Sequence, residues 1–365
     1  MRDKTRLAHH RAGFALPAVL TTLTILTLIY LTVIVATDDL FKETLYQKRE
    51  LDFQLQALTA EAQLAYLATT EPTNRNAITI GAPRSFGMTD QPAVASLSDK
   101  SVQFLMIDGA SYAWSPKPDR NAGALTVQVQ DDAGLINLNF VDIATNKRLF
   151  EAAGLDANLA QGLAAEFQDY TDTDNLIHLG GAEKDDYRRE NRPIPPNRPI
   201  GQPTEIFGLL AWGKTPPPKW SEVATGVTAQ YDSTTFNINT APPQVLQLMF
   251  GLTQAQTQAA SVRRRSAPFY SLTELGLADD SERLYTYPNG RLHFTILSDK
   301  YGFRYTSRLS LTPESPDRPI WIELESLQRF TPSDEPKPDN LPAFPKPASA
   351  TDAAKSGTGT GAGTG

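Results

Sequence analysis

Acidic side chains crowd one short stretch in the middle of this sequence. The stretch carries six carboxylates: Asp169, Asp172, Asp174, Glu183, Asp185 and Asp186. Carboxylates separated by one or two residues on a loop suit a hard cation, because Ca²⁺ takes about six to eight oxygen ligands in flexible geometry. The spacing is not that of an EF-hand loop. Clustered carboxylates repel one another without a counter-ion, so the pattern predicts a site for one or two calcium ions, with an acidic surface loop as the alternative.

Groups suited to catalysis are sparse by comparison. Of the four histidines, His9 and His10 lie near the N-terminus, and His178 and His293 are far apart in the sequence. No histidine pair has zinc-ligand spacing, and no nucleophile elbow or glycine-rich phosphate loop follows a strand pattern. Cysteine is absent, which excludes disulfides and thiolate metal sites. We therefore expect a protein that is not an enzyme.

A helical hairpin is the second feature that could bind a ligand. Residues with helical spacing flank the turn Phe250-Gly251-Leu252-Thr253, and Arg263, Arg264 and Arg265 follow. Helix-hairpin-helix elements of DNA-binding proteins offer backbone N–H groups to a phosphate, generally from a Gly-x-Gly hairpin, and here one glycine is missing. The net charge of −7 also argues against a surface that neutralises phosphates. We interpret the hairpin as structural and the arginine run as a solvated face, and expect no nucleic-acid partner. A membrane-anchored DNA-binding or DNA-uptake protein is the alternative.

Strand patterns surround this helical middle. Alternating apolar and polar residues predict strands near residues 102–107, 125–129, 292–296, 303–311 and 320–324. Apolar residues at helical spacing predict helices between Leu149 and Phe167 and between Val245 and Val262. Two similar phrases, Ile-Asn-Leu-Asn ending at Asn139 and Phe-Asn-Ile-Asn ending at Asn239, frame this middle, and their polar residues are expected to cap helices. The sequence therefore predicts a helical domain inserted into a β-rich one.

The N-terminus combines a basic leader with an apolar helix. The first 13 residues carry a net charge of +3, which by the positive-inside rule stays cytoplasmic. Residues 14–36 hold no charge, and as a helix they extend about 35 Å, enough to cross the hydrocarbon layer. Threonines such as Thr21 and Thr24 lower the hydrophobicity, but each hydroxyl can bond a carbonyl one turn back. Leucines at positions 40, 45, 51, 55, 58 and 67 continue the helix and predict one buried stripe.

The junction between leader and apolar run resembles the prepilin peptidase site of type IV pilins and type II secretion pseudopilins. Cleavage after Gly13 would leave Phe14 first, and the resemblance implies methylation of that new N-terminus. In most members the fifth mature residue is glutamate, whereas the matching residue here is Ala18. The K-type minor pseudopilin characteristically lacks this glutamate. A type IV minor pilin ordinarily keeps it, and is the further alternative.

The acidic stretch strengthens the resemblance. Asp-x-x-Asp-x-Asp from Asp169, then Gly-Ala-Glu ending at Glu183, then Asn-Arg-Pro-Ile-Gly-Gln-Pro-Thr-Glu-Ile over 197–206 follow the order of K-type minor pseudopilins of the type II secretion system. The resemblance implies a large helical domain inserted in a pilin-like fold and a bound calcium ion. The implied ligands are Asp172, Asp174 and Glu183, followed by Asp169, Asp185 and Asp186. His178 departs from the proline-rich or polar residues expected in this loop.

These inferences predict an α+β chain. A long N-terminal transmembrane and stalk helix precedes a pilin-like antiparallel sheet, which is interrupted by a large inserted all-helical domain of the helix-hairpin-helix or SAM-like type. The predicted boundaries are 1–13 for the leader, 14–70 for the transmembrane and stalk helix, 71–135 and 289–330 for the two parts of the pilin-like domain, 136–288 for the inserted domain and 331–365 for a disordered tail rich in proline and glycine.

The resemblance also implies a role in assembly. A K-type minor pseudopilin forms the tip of the pseudopilus with the I- and J-type minor pseudopilins, and helps to initiate or cap assembly during export of folded proteins across the outer membrane. The implied partners further include prepilin peptidase and the inner-membrane secretion platform. The implied location is a single pass of the bacterial inner membrane, with a cytoplasmic N-terminus and a periplasmic head, and the pseudopilus tip after assembly. Because Ala18 has no carboxylate, it cannot neutralise the N-terminal amine of a subunit above it, which suits a place at the tip.

Overall fold

The structure is a computed structural model that describes residues 15–81, 102–115, 125–231, 233–278, 286–312, 315, 317–330 and 340–346. Gly13 and Phe14, the residues of the predicted processing site, lie outside the described residues. The chain divides into two compact units, Met1–Gln56 and Ala57–Gly365.

The first element is a single long helix, α1 (Ala15–Thr70). By its length and composition, the helix from Leu16 can cross a membrane. Its threonines satisfy their hydroxyl groups within the helix, as expected: Thr21 donates to the carbonyl of Pro17 at 3.0 Å, and Thr24 to that of Leu20 at 2.8 Å. Each such bond removes a polar group from contact with lipid.

The buried stripe of α1 differs from the predicted leucine stripe. Of the predicted set, Leu67 is buried, whereas Leu40, Leu51 and Leu58 are 68%, 55% and 46% exposed. In the second unit, the helix buries a row with spacings of three and four residues: Ala57, Ala60, Glu61, Leu64, Leu67 and Ala68. The leucine prediction was wrong for most of its members, because the buried face runs through Leu64, Leu67 and three small alanines and leaves the earlier leucines on the exposed side of the helix.

The second unit contains a two-stranded hairpin and a five-stranded antiparallel sheet. The hairpin pairs β1 (Ala77–Ile80) with β2 (Gln103–Met106). The strands of the large sheet are β3 (Asp108–Trp114), β4 (Leu125–Asp131), β7 (Arg291–Ser298), β8 (Phe303–Leu311) and β9 (Ile320–Arg329). They lie side by side in that order. The structure confirms all five predicted strands and adds β1 and β3.

The inserted region lies between β4 and β7. Its α-helices are α2 (Ile143–Ala152), α3 (Ala157–Thr171), α4 (Lys184–Arg189), α5 (Leu210–Lys214), α6 (Trp220–Val223), α7 (Pro243–Phe250) and α8 (Gln254–Ser266). Buried apolar side chains such as Phe150, Phe167 and Phe269 form one core within it. The region is not all-helical as predicted, because β5 (Ile136–Asn137) and β6 (Val227–Thr228) pair as a short parallel ladder.

The paired asparagine phrases hold backbone segments together instead of capping helices. The amide of Asn139 accepts from the N–H of Ile200 and donates to its carbonyl, both at 2.9 Å. Asn239 makes the same pair of bonds to Phe269, at 2.7 and 3.0 Å. The caps of the following helices are Asp142 and Pro242. Each side-chain amide forms the pair of hydrogen bonds that a neighbouring strand would otherwise supply. The repeated phrase therefore marks two equivalent contacts between distant backbone segments.

Residues 340–346, here called the C-terminal strap, pack on the outer edge of β3. Ala113 donates to the carbonyl of Pro342 and accepts from the N–H of Phe344, both at 2.8 Å. Phe344 is 4% exposed and meets Tyr112 edge to face, with ring centroids 6.1 Å apart. Gln63 donates to the carbonyl of Pro345 at 2.6 Å. The prediction of a wholly disordered tail was therefore wrong for these residues. It rested on the average composition of the tail, which gives no weight to the single buried ring of Phe344.

A buried carboxylate sits where the sheet leads into the insertion. Asp131 accepts hydrogen bonds from the hydroxyl of Thr240 at 2.7 Å and the amide of Asn237 at 3.1 Å. Burial raises the pKa of Asp131 to about 6, and these hydrogen bonds limit the rise. The folded state thus holds this proton to a higher pH than the unfolded chain does, and its stability falls as pH rises from about 4 to about 6.

We expect Asp131→Asn to flatten this part of the pH profile. A pKa difference of about 2 corresponds to about 3 kcal/mol, and the wild-type chain should lose up to that amount relative to the variant between pH 4 and pH 6.5. Urea unfolding of the full chain in detergent with EGTA, followed by tryptophan fluorescence, measures the difference. Parallel profiles of the two proteins over this range would contradict the assignment.

Candidate metal centre

Two helix ends bring the predicted acidic residues together. Asp169 lies in the last turn of α3 and is fully buried, and Asp172 is the residue that follows the helix. Glu183 is the N-cap of α4, in a capping box in which Asp186 accepts from the N–H of Glu183 at 3.1 Å. The loop between the helices carries Asp174 and His178. The sequence explains the α4 side of this arrangement, because acids favour the N-terminal end of a helix, where backbone N–H groups are unpaired.

A buried brace fixes the two helices relative to each other. Glu166 of α3 accepts from the hydroxyl of Tyr187 in α4 at 2.7 Å and from the N–H of Ala211 in α5 at 2.9 Å. Burial and the charge of Glu166 raise the pKa of Tyr187, which therefore remains a hydrogen-bond donor. Sequence reasoning missed Glu166. The available signal was an acid among the apolar residues of α3, between Leu163 and Phe167.

Asp169 is held from the loop side by His178 and Gly181. The backbone N–H of His178 donates to Asp169 Oδ1 at 3.1 Å, and its ring Nδ1 contacts the same oxygen directly. A Cβ at Gly181 would lie 1.9 Å from Asp169 Oδ2, so only glycine fits there. Gly181 explains why the glycine pair follows the first acids in the sequence: it makes room for a carboxylate.

Two oxygens of the cluster lack donors. Asp172 Oδ1 and Glu183 Oε1 are buried and accept no hydrogen bond from the described residues. Burial raises the pKa of Asp172, and the charges of Asp174 and Asp169 raise it further. Burial also raises the pKa of Glu183, with the same neighbours and Asp172 adding to the rise. Buried carboxylate oxygens without donors are costly, so the cluster is electrostatically incomplete without a cation or protons.

The remaining predicted ligands have other partners. Asp174 Oδ1 accepts from the N–H of Leu176 at 2.7 Å. Asp186 pairs with Arg189, and the N–H of Glu183 lowers the pKa of Asp186. Asp185 is exposed and pairs with Arg188 at 3.0 Å. In the structure, Asp186 therefore caps α4 and pairs with Arg189, and Asp185 belongs to a surface ion pair.

The ligand atoms that lie closest together belong to Asp169, Asp172 and His178. One possible ligand atom of each residue lies within 4.8 Å of those of the other two. Among the described residues, these three form the group of histidine and acidic side chains that is close enough to hold a metal ion. For calcium, the fit rests on the two buried oxygens of Asp172 and Glu183 that accept no hydrogen bond from the described residues. Asp169, Asp172 and Glu183 would hold the ion, with Asp174 at the loop. A bound Ca²⁺ would supply positive charge that cross-links the ends of α3 and α4.

The predicted helical hairpin is present as α7, the turn at Gly251 and α8. Gly251 adopts a left-handed conformation, with φ of 66°. The arginine run is not a solvated face: Arg264 is 2% exposed and pairs with Asp108 of β3 at 3.1 Å. Arg263 pairs with Glu274 and lies 4.4 Å from the centroid of the Phe269 ring. These two arginines are therefore engaged within the protein.

The comparisons with known proteins bear on this acidic loop. The family model for protein K of the type II secretion system (T2SS) matches residues 134–218, a range that contains α2 to α5 and all six predicted acids. This match confirms, over residues 134–218, the resemblance to protein K seen in the sequence. The apolar part of α1 fits a single-pass membrane anchor in this component of a secretion system.

Known structures and curated proteins add little to this assignment. The chain is similar to a chain of the GspK-GspI-GspJ complex from the Type 2 Secretion System of enterotoxigenic Escherichia coli. The sequence identity is 14% and the TM-score 0.42, over 57% of this chain and 81% of the other. No curated protein matches the chain.

Proposed function

We propose that this minor pseudopilin occupies the tip of the pseudopilus together with the I- and J-type minor pseudopilins, and helps to initiate or cap its assembly during export of folded proteins. The match to protein K across the acidic loop carries this proposal. The complex to which the chain is similar contains three proteins of this kind, one of them a K protein. In the bacterial inner membrane, α1 would point its N-terminus to the cytoplasm, with the head in the periplasm.

The surface of α1 supports assembly through the stalk. Leu51 and Leu58 are 55% and 46% exposed, although they follow the membrane-spanning part of the helix. Apolar side chains at such positions suit packing against the stalk helices of partner subunits. Ala18 lies near the start of α1, where most pilin-like proteins of this superfamily have glutamate.

Replacing Ala18 by glutamate tests the tip position. If a missing charge keeps this subunit at the tip, Ala18→Glu should let a further subunit stack above it and reduce co-purification with the I- and J-type proteins in a defined tip complex. The measurement is the stoichiometry of detergent-solubilised complexes after cross-linking. Ala18→Gln is the matched control, with similar size and no charge. An unchanged stoichiometry in Ala18→Glu would show that the charge does not set the position, and failure of the wild-type chain to co-purify would reject the tip itself.

We also propose that the acidic loop binds calcium. The supporting observations are the buried oxygens of Asp172 and Glu183 and their mutual repulsion with Asp169. A Ca²⁺ ion would neutralise this repulsion and fix the loop between α3 and α4. Binding to the folded state alone would then stabilise the head.

Calcium titration should raise the melting temperature of the full chain in detergent relative to EGTA. At a free calcium concentration 100 times the dissociation constant, the stabilisation should be about 2.7 kcal/mol. Asp172→Asn and Glu183→Gln should each lose most of this response, because each removes a charged ligand. Asp185→Asn is the control, since Asp185 is exposed and pairs with Arg188. Equal melting curves in calcium and EGTA would reject the calcium site.

A further inference from the structure

The loop after α3 contains a ligand that calcium does not need. His178 Nδ1 lies within 4.8 Å of carboxylate oxygens of both Asp169 and Asp172. Calcium prefers oxygen ligands, whereas an imidazole nitrogen is a ligand for zinc and other first-row divalent ions. One nitrogen and two carboxylates are a sufficient protein ligand set for such an ion, with water or a further acid completing the coordination.

Burial of the carboxylate oxygens indicates a built site and not a chance surface cluster. Asp169 is fully buried and cannot move away from His178 without disturbing the last turn of α3. Asp172 Oδ1 is buried without a donor among the described residues, as is Oε1 of Glu183, which is only 3% exposed. Buried oxygens of this kind are ready acceptors for a cation. They are an observation independent of the acidic sequence pattern.

We propose that this loop also binds a divalent transition-metal ion of the zinc class, through His178 Nδ1 and the carboxylates of Asp169 and Asp172. Glu183 is the fourth candidate ligand. The inference shares its loop with the proposed calcium site but does not require calcium to bind. Because both ions need the oxygens of Asp169, the two ions exclude each other.

His178 Nδ1 faces the carboxylate of Asp169 directly, so the nitrogen and the carboxylate oxygens converge on one point. Imidazole binds a metal ion through an unprotonated ring nitrogen. The side chain of His178 is 43% exposed, so an ion can reach the site from solvent.

The test compares zinc and calcium on one set of variants. The full chain in detergent is stripped with chelator, and isothermal titration and melting curves are recorded with ZnCl₂ and, separately, with CaCl₂. We expect zinc to bind and to raise the melting temperature. His178→Ala should weaken zinc binding by at least about 10-fold, the usual minimum for losing even an outer partner of a metal site. Its calcium response should remain, since calcium does not use the ring.

Controls separate this site from adventitious binding. Cobalt replaces zinc as a spectroscopic probe: absorption bands in the visible region should be lost in His178→Ala and kept in Asp185→Asn. Zinc binding of equal strength in wild type and His178→Ala would overturn the proposal, as would the absence of zinc binding. Loss of the calcium response alone would reject the calcium site and leave this inference standing. A chelator-state melting curve of His178→Ala that matches the wild type shows that the variant is folded.

Discussion

Arg264→Ala is expected to destabilise the head by about 3–5 kcal/mol, the range for removing one partner of a buried ion pair. The guanidinium of Arg264 is 2% exposed, and it pairs with Asp108 and donates to the carbonyls of Ile238 and Ala241. Alanine would leave the Asp108 carboxylate buried without its cation and remove the donors to both carbonyls. Because Asp108 belongs to β3 and Arg264 to α8, the loss would also loosen the inserted region from the sheet.

Urea unfolding of the full chain in detergent measures this effect. Arg265→Ala is the matched control: Arg265 is the exposed neighbour, and its removal should change the free energy of unfolding by less than about 0.5 kcal/mol. In a double-mutant cycle, Asp108→Ala combined with Arg264→Ala should cost clearly less than the two single changes together. Additive costs, or equal costs for Arg264 and Arg265, would show that the pair does not hold the two regions together. Reduced DNA affinity in the absence of destabilisation would favour the DNA-binding alternative.

Phe344→Ala is expected to cost about 3 kcal/mol, the lower part of the range for removing a buried phenylalanine ring. Its ring packs against Tyr112, and its backbone N–H bonds to Ala113 of β3. Without the ring, the C-terminal strap should detach and leave the edge of β3 open for pairing with other chains.

The control for the strap is Lys346→Ala, because Lys346 is exposed in the same segment. Free energies from urea unfolding should separate the two variants. Limited proteolysis gives an independent measure, since a detached strap would be cleaved near residues 340–346 in Phe344→Ala and spared in Lys346→Ala. A Phe344→Ala variant as stable and as resistant as the wild type would mean that the strap contributes nothing to the head.

The strands of the sheet could be predicted where side chains alternate. In β4 and β7, every second residue is buried, and the apolar pattern showed this directly. Strand β3 escaped prediction because Gly109, Ala110 and Ser111 have low strand propensity, and its pairing with β4 sets its conformation. The packing of the C-terminal strap could not be predicted for a similar reason. The sequence shows one phenylalanine in a polar segment, and only the structure shows that the open edge of β3 lies beside it.

The position of the candidate metal centre could be predicted from the sequence, but the arrangement of its side chains could not. The acidic pattern pointed to the correct loop, and the family resemblance named its residues. Which acids lie inward depends on helix ends: Asp169 is buried by α3, while Asp185 falls on the exposed side of α4. The brace from Glu166 to Tyr187 joins residues 21 apart, and the Arg264 to Asp108 pair joins residues 156 apart. No local pattern encodes such partners, because they result from packing.

The C-terminal strap also determines when one contact of α1 can form during synthesis and folding. The side chain of Gln63 donates to the carbonyl of Pro345, 282 residues away, and accepts from the indole of Trp114. A chain is synthesised from its N-terminus, and contacts between distant residues form late. The part of α1 around Gln63 therefore gains its last contact only after the C-terminal strap has been synthesised. A chain truncated just before residue 340 would lack this contact, so closure of the β3 edge depends on synthesis having passed the strap.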